Sequence, residues 1–197
     1  MNFNDLKALF GLTLRDPQMA ARVVIAADWP VPARWMAALI VAVASAGVAW
    51  VATLIFPLPD EALPPIFRLP SIPFAMAGTQ ILSVALVAGL MAGVGRMFGG
   101  KGRFEDALLL VVWIQVVLEL VQAVQIVLTL ILPPAGSLMT ILSLVLSIWL
   151  MVKFSMELHG FTSGAKVLLA LIGTLFVTAF VLSFIAAAFG LLPEIPQ

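Results

Sequence analysis

Four polar residues interrupt one long apolar stretch of this chain: Gln115, Glu119, Gln122 and Gln125. Steps of four, three and three residues place them along one slowly drifting face of a helix. If that helix begins near Phe104, Glu119 lies about 22 Å along it, close to the middle of a bilayer. An ionisable side chain at that depth costs a few kcal/mol and is a functional-site hypothesis by default.

Two roles are open for Glu119. It could be a carboxyl that binds a proton or cation, or that holds a polar group of a partner. It could instead be a neutral acid that hydrogen-bonds to Gln or Ser neighbours and joins helices, which we favour because no second acid or base accompanies it. Helical rise places two serines of the next apolar stretch at a similar depth. The expected polar intramembrane site therefore comprises Glu119, Gln115, Gln122, Gln125, Ser143 and Ser147.

Composition indicates the elements that hold these residues. Apolar residues make up 63% of the chain and charged residues 10%, far from the balance of a soluble domain. In lipid, the backbone must satisfy its own hydrogen bonds, and continuous apolar runs favour helices over barrel strands. We predict an all-α membrane bundle of five transmembrane helices in a domain over residues 34–190, with spans at about 35–56, 74–98, 105–132, 137–158 and 164–190.

Residues 1–33 form a separate amphipathic segment. Apolar residues recur at helical spacing before a break, and Asp16 can cap a second helix that begins at Pro17. We predict one or two helices lying in the cytoplasmic membrane interface, with packing on the ends of the bundle as the alternative. The first apolar positions are Phe3, Leu6, Phe10 and Leu14.

Lys and Arg are distributed unequally between the two sides of these spans, which predicts their orientation. One side holds only Arg68, in a proline-rich loop over residues 57–73 that we expect to be stiff and extended. We therefore predict a multi-pass inner-membrane protein with a cytoplasmic N-terminus and a short external tail over residues 191–197. The other side holds Lys7, Arg15, Arg22, Arg34, Arg96, Lys101, Arg103, Lys153 and Lys166.

Six of these cations are expected to meet lipid headgroups or the cytoplasm: Arg22, Arg34, Arg96, Lys101, Arg103 and Lys153. The last of them should snorkel and pair with Glu157, four residues further along the helix. The single histidine, His159, is expected to cap the last carbonyls of its own helix rather than to sense pH.

A row of small residues in the second span consists of Ala85, Gly89 and Gly93. Such a row lets another helix approach closely. We favour packing within the bundle over a dimer interface, because five helices already need close contacts.

Several kinds of chemistry have no support in the sequence. The chain has no Cys and one His, so we expect no disulfide, metal site or cofactor. Net charge is zero and no basic block predicts nucleic-acid binding. Neither a nucleophile–base pair nor a pair of carboxylates indicates an enzyme, and no small-molecule substrate can be identified.

The order of these features resembles the bacterial members of the Yip1-domain family. The resemblance rests on the Gly-rich turn at residues 99–104, on Trp149 followed by His159-Gly160, and on the N-terminal stretch at residues 12–22. It implies five transmembrane helices behind a cytoplasmic N-terminal region, and a membrane protein rather than an enzyme. The family pattern also implies a proline in the third helix. Residues 111–121 contain none, so we expect that helix to be straighter.

We predict a non-enzymatic scaffold or accessory subunit that organises lipids, another membrane protein or copies of itself. The alternative is a small proton- or cation-coupled transporter or channel that uses Glu119 and the glutamines beside it. Apolar residues follow Thr129 and precede Gln115, so a polar path along this helix would close at both ends. That closure favours the scaffold.

Overall fold

The computed structural model describes residues 3–56 and 73–188, and within them the chain forms seven α-helices and no strand. The all-α prediction is confirmed. The expected tail over residues 191–197 and almost all of the expected 57–73 loop lie outside the described residues. The helices are α1 (Phe3–Arg15), α2 (Pro17–Ala26), α3 (Val31–Ile55), α4 (Pro73–Met97), α5 (Phe104–Ile131), α6 (Pro133–His159) and α7 (Gly164–Ala188).

The first two helices form a short hairpin. Asp16 caps α2 by accepting a 3.0 Å hydrogen bond from the Met19 amide, and Pro17 takes the first helical position. The buried face of α2 includes Ala20, Ala21 and Val24 and packs against α5 and α6. The hairpin thus lies on the bundle, which was the alternative to a purely interfacial position.

Helices α3 to α7 are each long and apolar enough to cross a membrane, as predicted. α3 starts at Val31, earlier than expected, because Pro30 ends the preceding turn and prolines suit the first turn of a helix. α5 continues through 28 residues. One residue, Leu132, separates it from α6, so the two helices form a tight hairpin.

Alternating helices give the bundle two distinguishable ends. We call the end where α3, α5 and α7 begin the basic end, because Arg34, Arg103 and Lys166 lie there, and we call the opposite end the far end. The core is concentrated towards the basic end, where α5 is buried at every position from Ala107 to Ile114. Leu150 and Phe154 of α6 complete this core. Towards the far end, most large apolar side chains are exposed.

α7 is peripheral. Its only buried residue is Val167, which packs with Val152 and Met156 of α6. Ser163 caps the helix by accepting a 3.4 Å hydrogen bond from the Lys166 amide. The rest of α7 presents large apolar side chains to its surroundings.

Candidate functional site

An open cleft of about 570 Å³ lies between α3, α5 and α6 in the far half of the bundle. Ala52, Phe56 and Leu118 supply apolar walls. Amides and hydroxyls supply the rest, although this region is otherwise apolar. Polar groups inside a membrane form hydrogen bonds across helix interfaces. The polar lining residues are Gln122, Gln125, Thr129, Ser137, Thr140, Ser143 and Ser147.

The cleft ends at a packed floor. Leu118 and Ser147 are its lining residues nearest to the basic end. Beyond them, Val117, Ile114 and Leu150 belong to the buried core. Within the described residues the cleft therefore closes towards the basic end.

Gln125 connects the two helices that form the back of the cleft. Its side-chain amide donates to the Thr140 hydroxyl at 2.8 Å and to the Gly136 carbonyl at 3.3 Å. Glycine suits position 136, because a Cβ atom on Gly136 would clash with Oγ1 of Thr129. These contacts hold the α5–α6 hairpin together near its turn.

The expected row of four polar residues divides into two pairs. Gln122 and Gln125 line the cleft, whereas Gln115 and Glu119 do not. Glu119 is turned away, because each step of three residues falls about 60° short of a helical turn and Gln125 is therefore rotated by about 120° from Glu119. Gln115 shares the face of Gln122 to within about 20°, but it lies beyond the floor of the cleft.

Two buried oxygen atoms have no hydrogen-bond partner among the described residues: Oε2 of Glu119 and Oγ of Ser45. Ser45 was not anticipated from the sequence, where a lone serine in an apolar helix gives no signal. Both residues lie about 21–22 Å from the basic end, on α5 and α3. Burial of a polar atom without a hydrogen-bond partner costs free energy, so these two oxygens are unusual.

The expected partners of Glu119 bond elsewhere. Ser143 donates to the Met139 carbonyl and Ser147 to the Leu144 carbonyl, both at 2.8 Å. Serine readily makes such bonds to its own helix backbone, which leaves its hydroxyl oxygen free to accept. The two serines belong to the cleft rather than to a cluster around Glu119.

The row of small residues on α4 does not make the tight contact that we favoured. A Cβ atom added to Gly89 or Gly93 would meet nothing within 4 Å. The buried face of α4 is shifted by one position, to Val84, Ala88 and Ala92. Ala85, Gly89 and Gly93 are half-buried beside that face, which leaves the dimer interface open as a prediction.

Arg34 is buried rather than exposed to headgroups, which corrects our expectation. Its guanidinium donates to Asp106 at 2.5 Å, to the Trp29 carbonyl at 2.6 Å and to Asp28 at 3.3 Å. Only 6% of the Arg34 side chain is exposed. Several acceptors can compensate for the desolvation of a buried guanidinium. The residue therefore ties the start of α3 to the start of α5.

Arg22 pairs with Glu157, so the predicted pairing of Lys153 with Glu157 is wrong. Nε of Arg22 lies 2.8 Å from Oε1, and Nη2 lies 3.2 Å from Oε2. This two-pronged geometry suits arginine better than lysine. The hydrogen bond to Glu157 raises the pKa of Arg22. The contact joins α2 to the end of α6, and Lys153 remains half-buried on α6.

The other predicted headgroup residues lie at the basic end. Arg96 is exposed and bonds to the Ala92 carbonyl of its own helix. Lys101 and Arg103 are exposed in the turn between α4 and α5. Their contact with lipid stays a prediction. No cluster of three His, Asp or Glu side chains suited to a metal occurs within the described ranges.

Comparison with known families decides the classification. The model of the Yip1 domain matches residues 11–185, which is well over half of the chain. This chain belongs to the Yip1-domain family. Comparisons with curated proteins and with solved structures gave no match.

The Gly-rich turn of this Yip1-domain chain encloses His159. The Gly102 amide donates to Nδ1 at 3.1 Å, so Nε2 carries the proton and donates to the Met91 carbonyl at 3.0 Å. A Cβ atom on Gly95, Gly100 or Gly102 would clash with the imidazole ring. His159 therefore joins α6 to α4 and the turn. It does not cap its own helix, which ends at left-handed Gly160.

Trp113 makes the remaining contact at the basic end of the Yip1 domain. Its indole N–H donates to the Thr13 hydroxyl at 2.9 Å, and that hydroxyl donates to the Leu9 carbonyl at 2.8 Å. Both side chains are buried. A buried indole usually finds an acceptor, so Trp113 itself was the sequence signal for this contact. The bond fastens α1 to α5.

Proposed function

We propose that this Yip1-domain chain is a non-enzymatic membrane scaffold or accessory subunit that holds a transmembrane helix of a partner protein. The observation that carries the proposal is the cleft between α3, α5 and α6. It presents a wall of amides and hydroxyls in the far half of the bundle and is closed towards the basic end. A polar groove that is closed at one end supports binding of a partner more than conduction of ions.

The cleft offers unused hydrogen-bonding capacity. The Gln122 side chain makes no hydrogen bond within the described residues, so it can donate two hydrogen bonds and accept two. The hydroxyl oxygens of Ser143 and Ser147 can each accept another hydrogen bond. Interhelical hydrogen bonds in membranes contribute about 1 kcal/mol each. A partner helix with a polar face would therefore fit better than an acyl chain.

We place the protein in the inner membrane with the basic end towards the cytoplasm. Six cations support this orientation: Arg22, Arg34, Arg96, Lys101, Arg103 and Lys166 all lie at or beside that end. A reporter fused after α7 should then be active only outside the cytoplasm. Cytoplasmic activity of that fusion would reverse the proposed orientation.

A second candidate is a small proton- or cation-coupled transporter. The unpartnered Oε2 of Glu119 favours it, because an unpaired buried carboxyl is a possible proton or cation site. The packed floor of the cleft weighs against a continuous path in this conformation.

The proposal can be tested by filling the cleft. The tagged chain is extracted gently from its native membranes, and its bound proteins are identified by native mass spectrometry. Ser143→Leu places an apolar side chain in the cleft. Ser83→Leu is the matched control, because Ser83 also bonds to its own helix, to the Thr79 carbonyl at 2.8 Å, but lies outside the cleft.

We expect a stoichiometric membrane partner with the wild type and with Ser83→Leu. Occupancy should fall at least about ten-fold with Ser143→Leu, which corresponds to about 1.4 kcal/mol. A partner that remains with Ser143→Leu would place its binding elsewhere. A wild-type chain that carries no partner would overturn the scaffold and favour the transporter.

A further inference from the structure

A second cavity, of about 320 Å³, lies at the basic end between α2, the α4–α5 turn and the end of α6. Three cations from two different elements line it: Arg22, Lys101 and Arg103. Ile25 and Leu158 give it an apolar wall. It is separate from the cleft in the far half, so the inference below does not depend on the proposed scaffold.

The two carboxylates that line this cavity are already paired. Asp106 accepts from buried Arg34 at 2.5 Å. Glu157 accepts from Arg22 through both of its oxygens. The acids of the cavity are therefore largely neutralised by arginines that hold the fold together.

Lys101 and Arg103 remain available. Lys101 makes no ion pair within the described residues. Arg103 has 71% of its side chain exposed and approaches Glu105 only at 3.5 Å. An exposed pair with this geometry contributes little and exchanges readily. Two cations thus face one cavity without a strong internal partner.

We propose that this cavity binds the phosphate group of an anionic phospholipid. A guanidinium fork and an ammonium group together suit phosphate oxygens. Basic pockets at the ends of transmembrane helices receive lipid headgroups, and Ile25 and Leu158 provide an apolar surface for the glycerol backbone. The cavity lies where α4 and α6 end and α5 begins, at the level where spans leave the bilayer.

The test uses the full chain, purified in a neutral detergent. Binding of phosphatidylglycerol and of phosphatidylcholine with identical acyl chains is measured by native mass spectrometry. The variants are Lys101→Gln, Arg103→Gln and their combination. Lys166→Gln is the control, because it removes one cation from the same end but outside the cavity.

One phosphatidylglycerol should bind in preference to phosphatidylcholine. Each cavity variant should weaken it about five-fold and the double variant about twenty-five-fold, whereas Lys166→Gln should not change it. Lys101→Arg should retain binding. Equal affinity for the two lipids, or equal losses in Lys101→Gln and Lys166→Gln, would overturn the proposal.

A soluble phosphate compound is the competing source of the same chemistry. Glycerol 3-phosphate and inorganic phosphate are therefore added in separate arms. If either displaces the lipid at micromolar concentration through the same two side chains, the site belongs to a soluble anion and the lipid assignment is wrong. Thermal unfolding of each variant should match the wild type, since both altered side chains are exposed.

Discussion

The two halves of this bundle are held together differently. At the basic end, four contacts join separate elements: Arg34 with Asp106, Arg22 with Glu157, His159 with the Gly-rich turn, and Trp113 with Thr13. In the far half, side-chain hydrogen bonds between helices come from Gln125 alone among the described residues. The apolar side chains of that half are mostly exposed.

This difference indicates that one half of the molecule holds the helices together while the other half can bind a partner. In a membrane, apolar contact alone gives helices little preference for one another over lipid, so small residues and hydrogen bonds decide which helices stay together. The buried polar groups of the basic end, such as Arg34, His159 and Trp113, find their partners within the chain. The far half leaves an amide and several hydroxyl oxygens unsatisfied in the cleft, which suits it to an external partner.

Among these variants, removal of the Arg34 guanidinium should lower the free energy of unfolding most. Arg34→Met leaves Asp106 without its guanidinium partner, and loss of one member of a buried pair costs about 3–5 kcal/mol. Denaturant titration in mixed micelles should show this loss in the free energy of unfolding. Arg96→Met, at an exposed position of the same end, should change it by less than about 0.5 kcal/mol. Similar losses in both variants would mean that the buried pair is not what fastens α3 to α5.

The same substitution, Gly to Ala, can be compared at a crowded site in the Gly-rich turn and at an open site on α4. Gly102→Ala would place Cβ 2.6 Å from Cε1 of His159 and from Cγ of Leu158, so overpacking should cost about 1–3 kcal/mol. Gly89→Ala adds the same methyl group in open space within a helix, where alanine is favoured by about 0.5–1 kcal/mol.

The thermal unfolding temperature should therefore fall for Gly102→Ala and rise for Gly89→Ala. A harmless Gly102→Ala would show that the His159 ring moves aside easily. A destabilising Gly89→Ala would show that the open face of α4 is occupied, as a dimer interface would require. A bulkier Gly89→Leu, followed by the size of the purified particle, would then distinguish self-association from a foreign partner.

The contact between Trp113 and Thr13 should give an intermediate effect. Trp113→Phe keeps an aromatic ring but removes the indole N–H, and loss of one hydrogen bond costs about 1 kcal/mol. Protease cleavage between α1 and α2 should become faster, because α1 loses its bond to α5. Trp50→Phe is the control at an exposed position of α3 in the far half. Equal cleavage rates would show that α1 is held by apolar packing alone.

The sequence predicted what depends on neighbours along the chain. Hydropathy indicated five spans, and the cap residue Asp16 indicated the start of α2. It did not predict contacts between residues far apart, such as Arg34 with Asp106, because helical periodicity states which residues share a face but not which helix that face meets. The pairing of Lys153 with Glu157 was predicted wrongly for the same reason. Their spacing of four residues allows a pair, but Arg22 of α2, which is distant in sequence, contacts Glu157 instead.

The smallest expected effect concerns Glu119. Glu119→Gln replaces a carboxyl group, one oxygen of which has no partner among the described residues, with an amide of the same shape, so the free energy of unfolding should change by less than about 0.5 kcal/mol. Asp106→Asn makes the same chemical change on a carboxylate paired with Arg34, and it should cost about 3 kcal/mol. The two variants therefore compare one substitution in the two halves. If both cost the same, Glu119 has a partner that fastens the far half. If Glu119→Gln leaves stability unchanged but abolishes proton or cation uptake by reconstituted vesicles, the result would favour the transporter over the scaffold.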